Sequence, residues 1–311
     1  MKTMKEIKAV TATSEYDSLF WDAMRFNVDA EDKMRNAFSD STGAFFAPAS
    51  GDADFHEVIT RESVIRPLAT NLKKHTGASV IWAAYSDDRV AFVPPGAPIP
   101  GFDAENDFTR FQICGYKIAG MIKMNSCFAC DADFDLKKYI VGRMGKSFAR
   151  TEDRAFINGS GTDEPFGLLH DTEGAETGVV TTDLSYDDVL ELFFAVDPKY
   201  RANAVWLMND RTALALRKLK DDVGNYLWNG NSDTVLGKPV RICNEMPDIS
   251  TGSKPVLFGD FSFYWIVDRY PICMQPLKEI FTMTDQVGYL GFEMLDARLI
   301  RRNAVKALSV S

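Results

Sequence analysis

The sequence predicts an α+β fold in which a long helix, an extended β-hairpin and a smaller α/β unit are joined in one chain. Apolar residues recur at helical spacing over residues 134–157, which is long for a single helix. Two strand-like runs flank a proline-rich tip within residues 79–124, as expected for a hairpin. Strand and helix patterns then alternate over residues 183–285. A chain of 311 residues is long enough for one large domain or for two to three lobes.

Composition and charge exclude several classes of protein. Apolar residues make up 46% and charged residues 25% of the chain, a globular composition that is neither disordered nor fibrous. The net charge of −9 disfavours binding of nucleic acid through a clustered basic surface. No run approaches the ~18 apolar residues that span a bilayer, and the N-terminal stretch lacks the apolar core of a secretory signal. We therefore expect a cytosolic chain without membrane contact, with reduced thiols at Cys114, Cys127, Cys130, Cys243 and Cys273.

Residues 1–55 are weakly patterned and predict an arm with little core of its own. One short amphipathic helix is indicated by Tyr16, Leu19, Phe20, Met24 and Phe26. Residues 39–51 follow as a small, polar and turn-rich stretch. Because such an arm buries little surface by itself, we expect it to lie on another surface.

The predicted hairpin spans residues 79–124, with β-branched and aromatic runs on both sides of a tip at residues 94–107. This tip contains four prolines and two glycines. The apolar face of the second run changes parity near Cys114 and Gly115, which predicts a β-bulge there. A two-stranded hairpin is only marginally stable alone. It therefore needs either a partner surface or a place in a larger sheet of the same chain, and the pattern does not decide between the two.

Residues 134–157 predict one long helix with Asp133 as its N-cap. Its core face is an apolar stripe of Leu136, Ile140, Met144, Phe148 and Ala155. At ~1.5 Å per residue the helix is on the order of 36 Å long. Gly142 and Gly145 weaken it unless another element packs closely there.

The long helix is followed by the loop Asn158-Gly159-Ser160-Gly161-Thr162. This loop lacks the Lys-Ser/Thr ending of a phosphate-binding loop, and it follows a helix instead of preceding one. It is instead typical of a helix stop, in which Gly159 adopts the left-handed conformation and Pro165 prevents the helix from resuming.

Residues 183–285 predict alternating helices and strands. In order, these are a helix over 186–198 capped by Ser185, a strand over 204–209, a helix over 210–227, a strand between turns over 236–248, and two strands over 255–269 separated by a Gly-Asp turn. Residues 286–311 predict two final strands about a central turn.

No motif in the chain combines the groups of an active site or a metal site. Cys127 and Cys130 form a CxxC pair, but no second pair follows at the spacing of a zinc site. The three histidines are isolated, and no nucleophile is paired with a base. We therefore expect no catalytic residue, cofactor or metal. A soluble α/β enzyme with a site between residues 56–182 and 183–285 is the alternative from a different class.

Four phrases of the sequence occur in the order and at the spacing of one known family. The first is residues 149–161, which include Phe156-Ile157-Asn158-Gly159-Ser160-Gly161, and the second is residues 204–209 followed by 214–221 and 224–227. The third is residues 236–240 leading to Met246-Pro247, and the fourth is residues 257–262 with Tyr264, Ile266 and Asp268-Arg269. Together they resemble the major capsid proteins of tailed bacteriophages and prophages, which share the Hong Kong 97-type fold. The resemblance covers most of the chain, from about residue 40 onward.

The resemblance implies a division of the chain into the parts of that fold. These are an N-terminal arm at 1–55, a peripheral lobe at 56–78 and 119–182 with a spine helix at 134–157, an extended loop at 79–118, an axial lobe at 183–285, and C-terminal strands at 286–311 that return to the peripheral or axial sheet. It also favours an intermolecular contact for the hairpin. The implied function is a self-assembling, non-enzymatic protein that forms an icosahedral shell around double-stranded DNA.

The residues that the resemblance marks for assembly fall into three groups. On the extended loop they are Trp82, Tyr85, Phe92, Pro94, Pro95, Phe108, Phe111 and Tyr116. On the spine helix and its stop they are Leu136, Ile140, Met144, Phe148, Asn158 and Gly159. In the axial lobe they are Gly237, Pro239, Pro247, Gly259 and Asp260.

The implied partners are further copies of the chain in hexamers and pentamers, a portal, a maturation protease, and packaged DNA bound without sequence specificity. Because Met1 lies only a few residues before the arm, we expect a separate scaffolding protein or none. Residues 75–116 contain no lysine, so we expect no Lys–Asn cross-link from the loop. The protein would be assembled in the bacterial cytoplasm and reside in the virion. The nearest alternative is an encapsulin, a bacterial compartment shell of similar fold that packages enzymes.

Overall fold

Two β-sheets organise the part of the chain that the computed structural model describes, which comprises residues 9–38, 44–73, 80–84, 92–99, 108–220, 225–228 and 233–311. The first sheet contains β1 (Phe45–Phe46), β11 (Tyr264–Leu277), β12 (Gln286–Leu299) and β5 (Tyr116–Asn125), with β2 (Thr70–Lys73) parallel to β11. The second sheet contains β6 (Glu176–Thr181), β13 (Val305–Val310), β10 (Val256–Gly259), β7 (Val205–Met208), β9 (Lys238–Ile242) and β8 (Thr234–Val235). A separate two-stranded sheet pairs β3 (Val80–Ala84) with β4 (Phe108–Gln112).

Helices cover these sheets and complete the predicted α+β architecture. They are α1 (Ser14–Met24), α2 (Val28–Phe38), α3 (Ala49–Glu62), α4 (Ser126–Cys130), α5 (Leu136–Asn158), α6 (Tyr186–Ala195), α7 (Pro198–Arg201) and α8 (Asp210–Arg217). Short 3₁₀ turns lie at Phe261–Phe263, Glu279–Thr284 and Arg302–Ala304. Within the described residues, none of the helices has the length and apolar character that crossing a membrane requires.

The N-terminal helices α1 and α2 pack on the first sheet of their own chain. Phe20 and Met24 are fully buried in that core. The Tyr289 hydroxyl donates a hydrogen bond to the Met24 carbonyl at 2.9 Å, which ties α1 to β12. The sequence predicted a single helix here. It missed α2 because that helix is mostly polar and buries only Ala30 and Met34 among its described side chains.

The predicted end of the arm at residue 55 lies inside α3. Phe55 and Ile59 of this helix are fully buried in the same core as α1. The Asp52 carboxylate also accepts a hydrogen bond from the Ile272 backbone N–H of β11 at 3.1 Å. The polar, turn-rich composition before residue 52 obscured this helix, which is held by tertiary packing.

The long helix α5 begins two residues later than predicted. Its N-cap is Asp135, whose side chain accepts a hydrogen bond from the Lys138 N–H at 2.9 Å, so the prediction of Asp133 as the cap was wrong. The predicted apolar stripe is buried, at Leu136, Ile140, Met144, Phe148 and Ala155. Gly145 allows α3 to approach, because a Cβ there would lie 2.8 Å from Val58 Cγ1, whereas Gly142 faces open space.

The loop after α5 folds back onto the end of the helix. The backbone N–H groups of Leu168 and Leu169 donate hydrogen bonds to the carbonyls of Phe156 and Ile157 at 2.7 and 2.9 Å. These bonds satisfy carbonyls that the last turn of a helix leaves unpaired. Gly159 has φ −61°, so the predicted left-handed conformation is wrong. Glycine is required there because a Cβ would overlap the carbonyl oxygens of Pro165 and Ala155.

The second half of the hairpin region divides between two sheets. Strand β4 ends at Gln112, and β5 begins at Tyr116 in the first sheet, where it pairs with β12. The parity change predicted as a β-bulge near Cys114 and Gly115 is therefore the point at which the chain passes from one sheet to the other. Strand β5 thus joins a larger sheet of the same chain, which is one of the two options left open by the pattern, and within the described residues β3–β4 has two strands.

The two sheets exchange strands near the C-terminus. Gly259 and Asp260 carry the chain from β10 in the second sheet to β11 in the first, and β13 then returns to the second. Hence the sheet that holds residues 205–259 also includes β6 and β13, which lie outside the predicted axial limits of 183–285. Helix α8 ends at Arg217, ten residues before the predicted end at 227.

Candidate functional site

One face of the β3–β4 hairpin packs against its own subunit. Ile81 and Phe111, directly opposite each other in the register, line a cleft together with Trp265 and Ile300 of the main body. Ala83, two residues from Ile81 and on the same face, is buried. The face that carries Ile81, Ala83 and Phe111, which we call the inner face, therefore packs against the body of its own subunit.

The opposite face of the hairpin exposes large apolar side chains. Trp82 is 60% exposed and Phe108 is 53% exposed. They share this face because Trp82 pairs with Arg110, which lies two residues from Phe108 along β4. Within the described residues, no third strand pairs with either β3 or β4. We call the side chains of Trp82, Phe108 and Arg110 the outward face.

The predicted loop residues do not all fall on this hairpin face. Phe92, Pro94 and Pro95 lie in the described segment 92–99, where every residue is exposed. Tyr85 lies outside the described residues. We call the segment that connects β4 to β5, from Ile113 to Tyr116, the root of the hairpin. The Tyr116 hydroxyl donates a hydrogen bond to the Gly161 carbonyl at 2.9 Å.

The root of the hairpin is also held by Arg298 of β12. Its guanidinium lies 5.6 Å from the Phe111 ring and 4.9 Å from the Phe166 ring, within cation–π range. Its Nη2 donates to the Glu173 carboxylate at 2.6 Å. The direction of the hairpin is thus defined by contacts with several separate segments.

Three of the four phrases quoted from the sequence meet at one junction between the sheets. Asn158 Nδ2 donates to the Glu245 carbonyl at 2.8 Å, and Asn209 Nδ2 donates to Asp248 at 2.6 Å, so both phrases contact the segment around Pro247. The Tyr264 hydroxyl donates to the Phe166 carbonyl at 2.9 Å. Their family-like spacing therefore reflects packing that joins the two sheets.

The remaining axial motifs are turns. Leu236 and Gly237, with φ 50° and 73°, form the two-residue turn of the β8–β9 hairpin, in which Thr234 pairs with Pro239. Such turns need positive φ at both central positions, which favours glycine. Gly259 has φ 155°, and a Cβ there would overlap the Ala304 carbonyl oxygen. Asp260 accepts a hydrogen bond from the Ser262 N–H at 3.0 Å.

A buried ionic cluster, which sequence reasoning missed, joins α5 to the first sheet. Arg66 donates to both carboxylate oxygens of Glu152, at 2.6 and 3.0 Å, and to both of Asp268, at 3.3 and 3.1 Å. A fourth member, Glu293 of β12, lies 3.5 Å from Arg66 Nη2. All four residues are buried. The signal for this cluster in the sequence is the pair of adjacent acidic residues Glu152-Asp153. Because adjacent acidic residues normally indicate a solvated surface, the sequence did not predict a buried cluster.

Burial, and then the nearby carboxylate of Glu152, raise the pKa of Glu293 well above its usual range. A carboxyl with a raised folded-state pKa stabilises the fold fully below its unfolded pKa of about 4.3. That contribution is lost as the pH rises through the folded-state pKa. The folded protein therefore favours the neutral form of Glu293.

We expect Glu293→Gln to match the wild type in stability near pH 4 and to become progressively more stable than the wild type as the pH rises toward 8. Glutamine keeps the shape and remains neutral at every pH. Chemical unfolding at a series of pH values measures this, with Glu57→Gln on the exposed side of α3 as the control. Parallel pH profiles for Glu293→Gln and the wild type would contradict the interpretation.

The described residues contain no group of three or more His, Cys, Asp or Glu side chains that could hold a metal ion. Cys127 and Cys130 are exposed free thiols on the short helix α4. The hairpin thus packs on its own subunit through one face and exposes Trp82 and Phe108 on the other.

This fold is that of capsid proteins. Among solved structures, the capsid of a native GTA particle, computed with C5 symmetry, is 27% identical with a TM-score of 0.66, covering 80% of this chain and 90% of that chain. The capsid of an empty GTA particle is 26% identical with a TM-score of 0.64 and the same coverage. A chain of Microbacterium phage Oxtober96, at 16% identity, shares the fold with a TM-score of 0.57, covering 80% and 91%.

The chain belongs to the phage capsid family, whose model matches residues 43–310. It is a major capsid protein, a structural component of the virion shell. The resemblance inferred from the four phrases and the capsid fold class are thereby confirmed, and the encapsulin alternative is not favoured. No curated protein sequence is significantly similar to the chain.

Proposed function

We propose that the outward face of the β3–β4 hairpin is a principal contact through which each shell subunit binds its neighbour. The observation that carries this proposal is the pair of exposed aromatic side chains, Trp82 and Phe108, on a hairpin whose other face is already seated on its own body. Burial of a large apolar side chain contributes about 1.5–3 kcal/mol. A contact that is repeated around a shell gains this energy at every subunit.

The subunits would form rings of five and six that close into an icosahedral shell around double-stranded DNA. Support comes from the two GTA capsids, both computed with C5 symmetry. Closed rings require heterologous contacts, in which a projecting element of one subunit fits a different surface of the next. A seated hairpin with one free apolar face suits that role.

The two lobes implied by the resemblance would lie at different places in each ring. In this proposal the first sheet with α5 is the peripheral lobe and the second sheet is the axial lobe, which meets its copies at the ring axis. Helices α1 and α2, which belong to the implied N-terminal arm, pack on their own subunit.

The other partners follow from the needs of such a shell. Scaffolding, a portal and a maturation protease would act during assembly in the bacterial cytoplasm. The net charge of −9 suits a container that holds DNA without sequence-specific contacts. The protein would carry no catalytic activity and need no cofactor.

The experiment that tests the hairpin contact is a double substitution, Trp82→Ser with Phe108→Ser. We expect it to raise the protein concentration needed for particle assembly at least about tenfold, since a loss of 1.4 kcal/mol already weakens a contact by that factor. Light scattering and negative-stain microscopy of the purified chain would measure this. If the chain needs scaffolding protein to assemble, both variants are tested with it.

The matched control is Phe128→Ser, which removes a 49% exposed aromatic residue from α4, away from the hairpin. It should assemble at the wild-type concentration. Normal assembly of the double variant would contradict the proposed contact. Impaired assembly supports the contact when the unfolding transition of the variant is unchanged.

A further inference from the structure

The chain enters the first sheet at the root of the hairpin, between β4 and β5. At this point a side chain of β12, instead of its backbone, accepts a hydrogen bond from the incoming chain. Tyr116 is the first residue of β5, and its pairing with Leu295 is the final pair of the β5–β12 ladder at this end. The next residue of β12, Asp296, accepts a hydrogen bond from the Cys114 backbone N–H at 2.6 Å through Oδ2. A carboxylate thus continues the hydrogen bonding for one step after the strand ladder has ended.

The geometry around this carboxylate fixes its position. Asp296 Oδ1 accepts a hydrogen bond from the Ala297 N–H at 2.7 Å, so both oxygens are engaged. Asp296 is 9% exposed and lines the cleft between the body and the inner face of the hairpin. Arg269 Nη1 lies 3.4 Å from the Ile113 carbonyl on the same linker. Residues 113–115 are therefore held from the body by side chains, since they belong to no strand.

We propose that Asp296 is a positioning residue that latches the linker at residues 113–115 and so fixes the direction in which the hairpin leaves the subunit. A small rotation of this linker displaces the outward face at Trp82 and Phe108 by a larger distance. The relevance of the latch to assembly rests on the proposed function of that face, whereas the latch itself concerns a single subunit.

The protonation behaviour of this group is consistent with a latch. Burial raises the pKa of Asp296 to about 6, against the opposing effect of hydrogen bonds from the Cys114 and Ala297 N–H groups. The charged or titratable groups that face it are Arg298 of β12, Arg269 and Tyr264 of β11, and Tyr116 of β5. Opening the root would return the carboxyl to water and to an ordinary pKa near 3.9.

The sign of the pH dependence follows from that difference. The closed root binds the proton more strongly than the open root. The contribution of this proton to the stability of the closed root is therefore greatest below about pH 4 and is lost as the pH rises through about 6. Asparagine at this position remains neutral and can still accept from the Cys114 N–H, so it should keep the root closed at every pH. Alanine removes the acceptor altogether.

Hydrogen exchange of the unassembled full chain tests the latch, read on peptides that span residues 108–118 at pH 5 and pH 7.5 and corrected for intrinsic exchange rates. We expect Asp296→Ala to speed exchange of these amides at least about tenfold, as loss of the acceptor for a buried hydrogen bond implies. We expect Asp296→Asn to retain protection and to lose the difference between the two pH values. Asp171→Asn, an exposed aspartate paired with Lys254, is the matched control.

Particle assembly of the same variants then tests positioning. We expect Asp296→Ala to yield particles of altered size or open sheets, and Asp296→Asn to yield particles of wild-type size at pH 7.5. If Asp296→Ala exchanges like Asp171→Asn, or opens the root without changing the particles, the proposal is overturned. If the wild type itself forms no shell even with scaffolding protein, the proposed function fails, and the exchange result still decides whether the latch exists.

Discussion

Replacing Arg66 with alanine is expected to lower the free energy of unfolding by about 3–5 kcal/mol, because it removes the cation from a buried cluster of carboxyl groups. Arg66 donates four hydrogen bonds to Glu152 and Asp268, at distances of 2.6 to 3.3 Å. Burial alone would raise the pKa of Asp268, but the neighbouring Arg66 guanidinium holds this pKa below its usual range. Without Arg66 these carboxylates must be protonated or hydrated inside the core.

Urea unfolding of the purified, unassembled chain measures this effect. Arg66→Met separates charge from volume, since methionine fills much of the space without a charge, and we expect it to be nearly as destabilising as alanine. Arg154→Ala is the matched control, because this arginine lies on the same helix as Glu152 and forms a solvent-exposed pair with Glu164. Equal stability of the Arg66 and Arg154 variants would contradict the assigned role of the cluster.

Replacing Gly159 with alanine is expected to destabilise the fold by about 3 kcal/mol, as overpacking against rigid backbone does. A Cβ at this position would overlap the carbonyl oxygens of Pro165 and Ala155, neither of which can move without breaking the loop that closes α5. Asparagine, which tolerates the left-handed conformation, should be as damaging as alanine because φ here is −61°. Chemical unfolding compares the three proteins.

Gly142→Ala on the same helix is the control with the opposite expected sign. Nothing lies within 4 Å of a Cβ built there, so alanine should stabilise α5 by about 0.5–1 kcal/mol. Wild-type stability of Gly159→Asn would mean that the left-handed conformation, as first predicted from the sequence, governs this position after all.

Elements with strong local signals were predicted from the sequence. The stripe on α5, the N-cap at Ser185 and the buried strand β7 each depend on residues that are close together in the sequence. Helix α2 and the end of α8 at Arg217 were missed or misplaced because their limits depend on what packs against them. Propensity alone does not contain that information.

The candidate site divides in the same way. The sequence predicted that the two-stranded hairpin needs a surface to cover it. The resemblance marked Trp82 and Phe108 among the eight assembly residues of the extended loop, but it did not say that these two share the exposed face. Asp296 and Arg66 were not identified from the sequence, because their partners are distant along the chain. The partner of Asp296 lies 182 positions away, and the partners of Arg66 lie 86 to 227 positions away. Sequence spacing carries no record of such contacts.

By itself the sequence determined that this chain is an α+β capsid protein with a long helix and an extended hairpin. Periodicity, turn residues and the four phrases carry that information locally. Only the tertiary structure decided which face of the hairpin is free, where β5 leaves the hairpin for the first sheet, and how Arg66 and Asp296 are buried. Those features arise from contacts between distant segments, and their energies depend on burial, which only the folded chain defines.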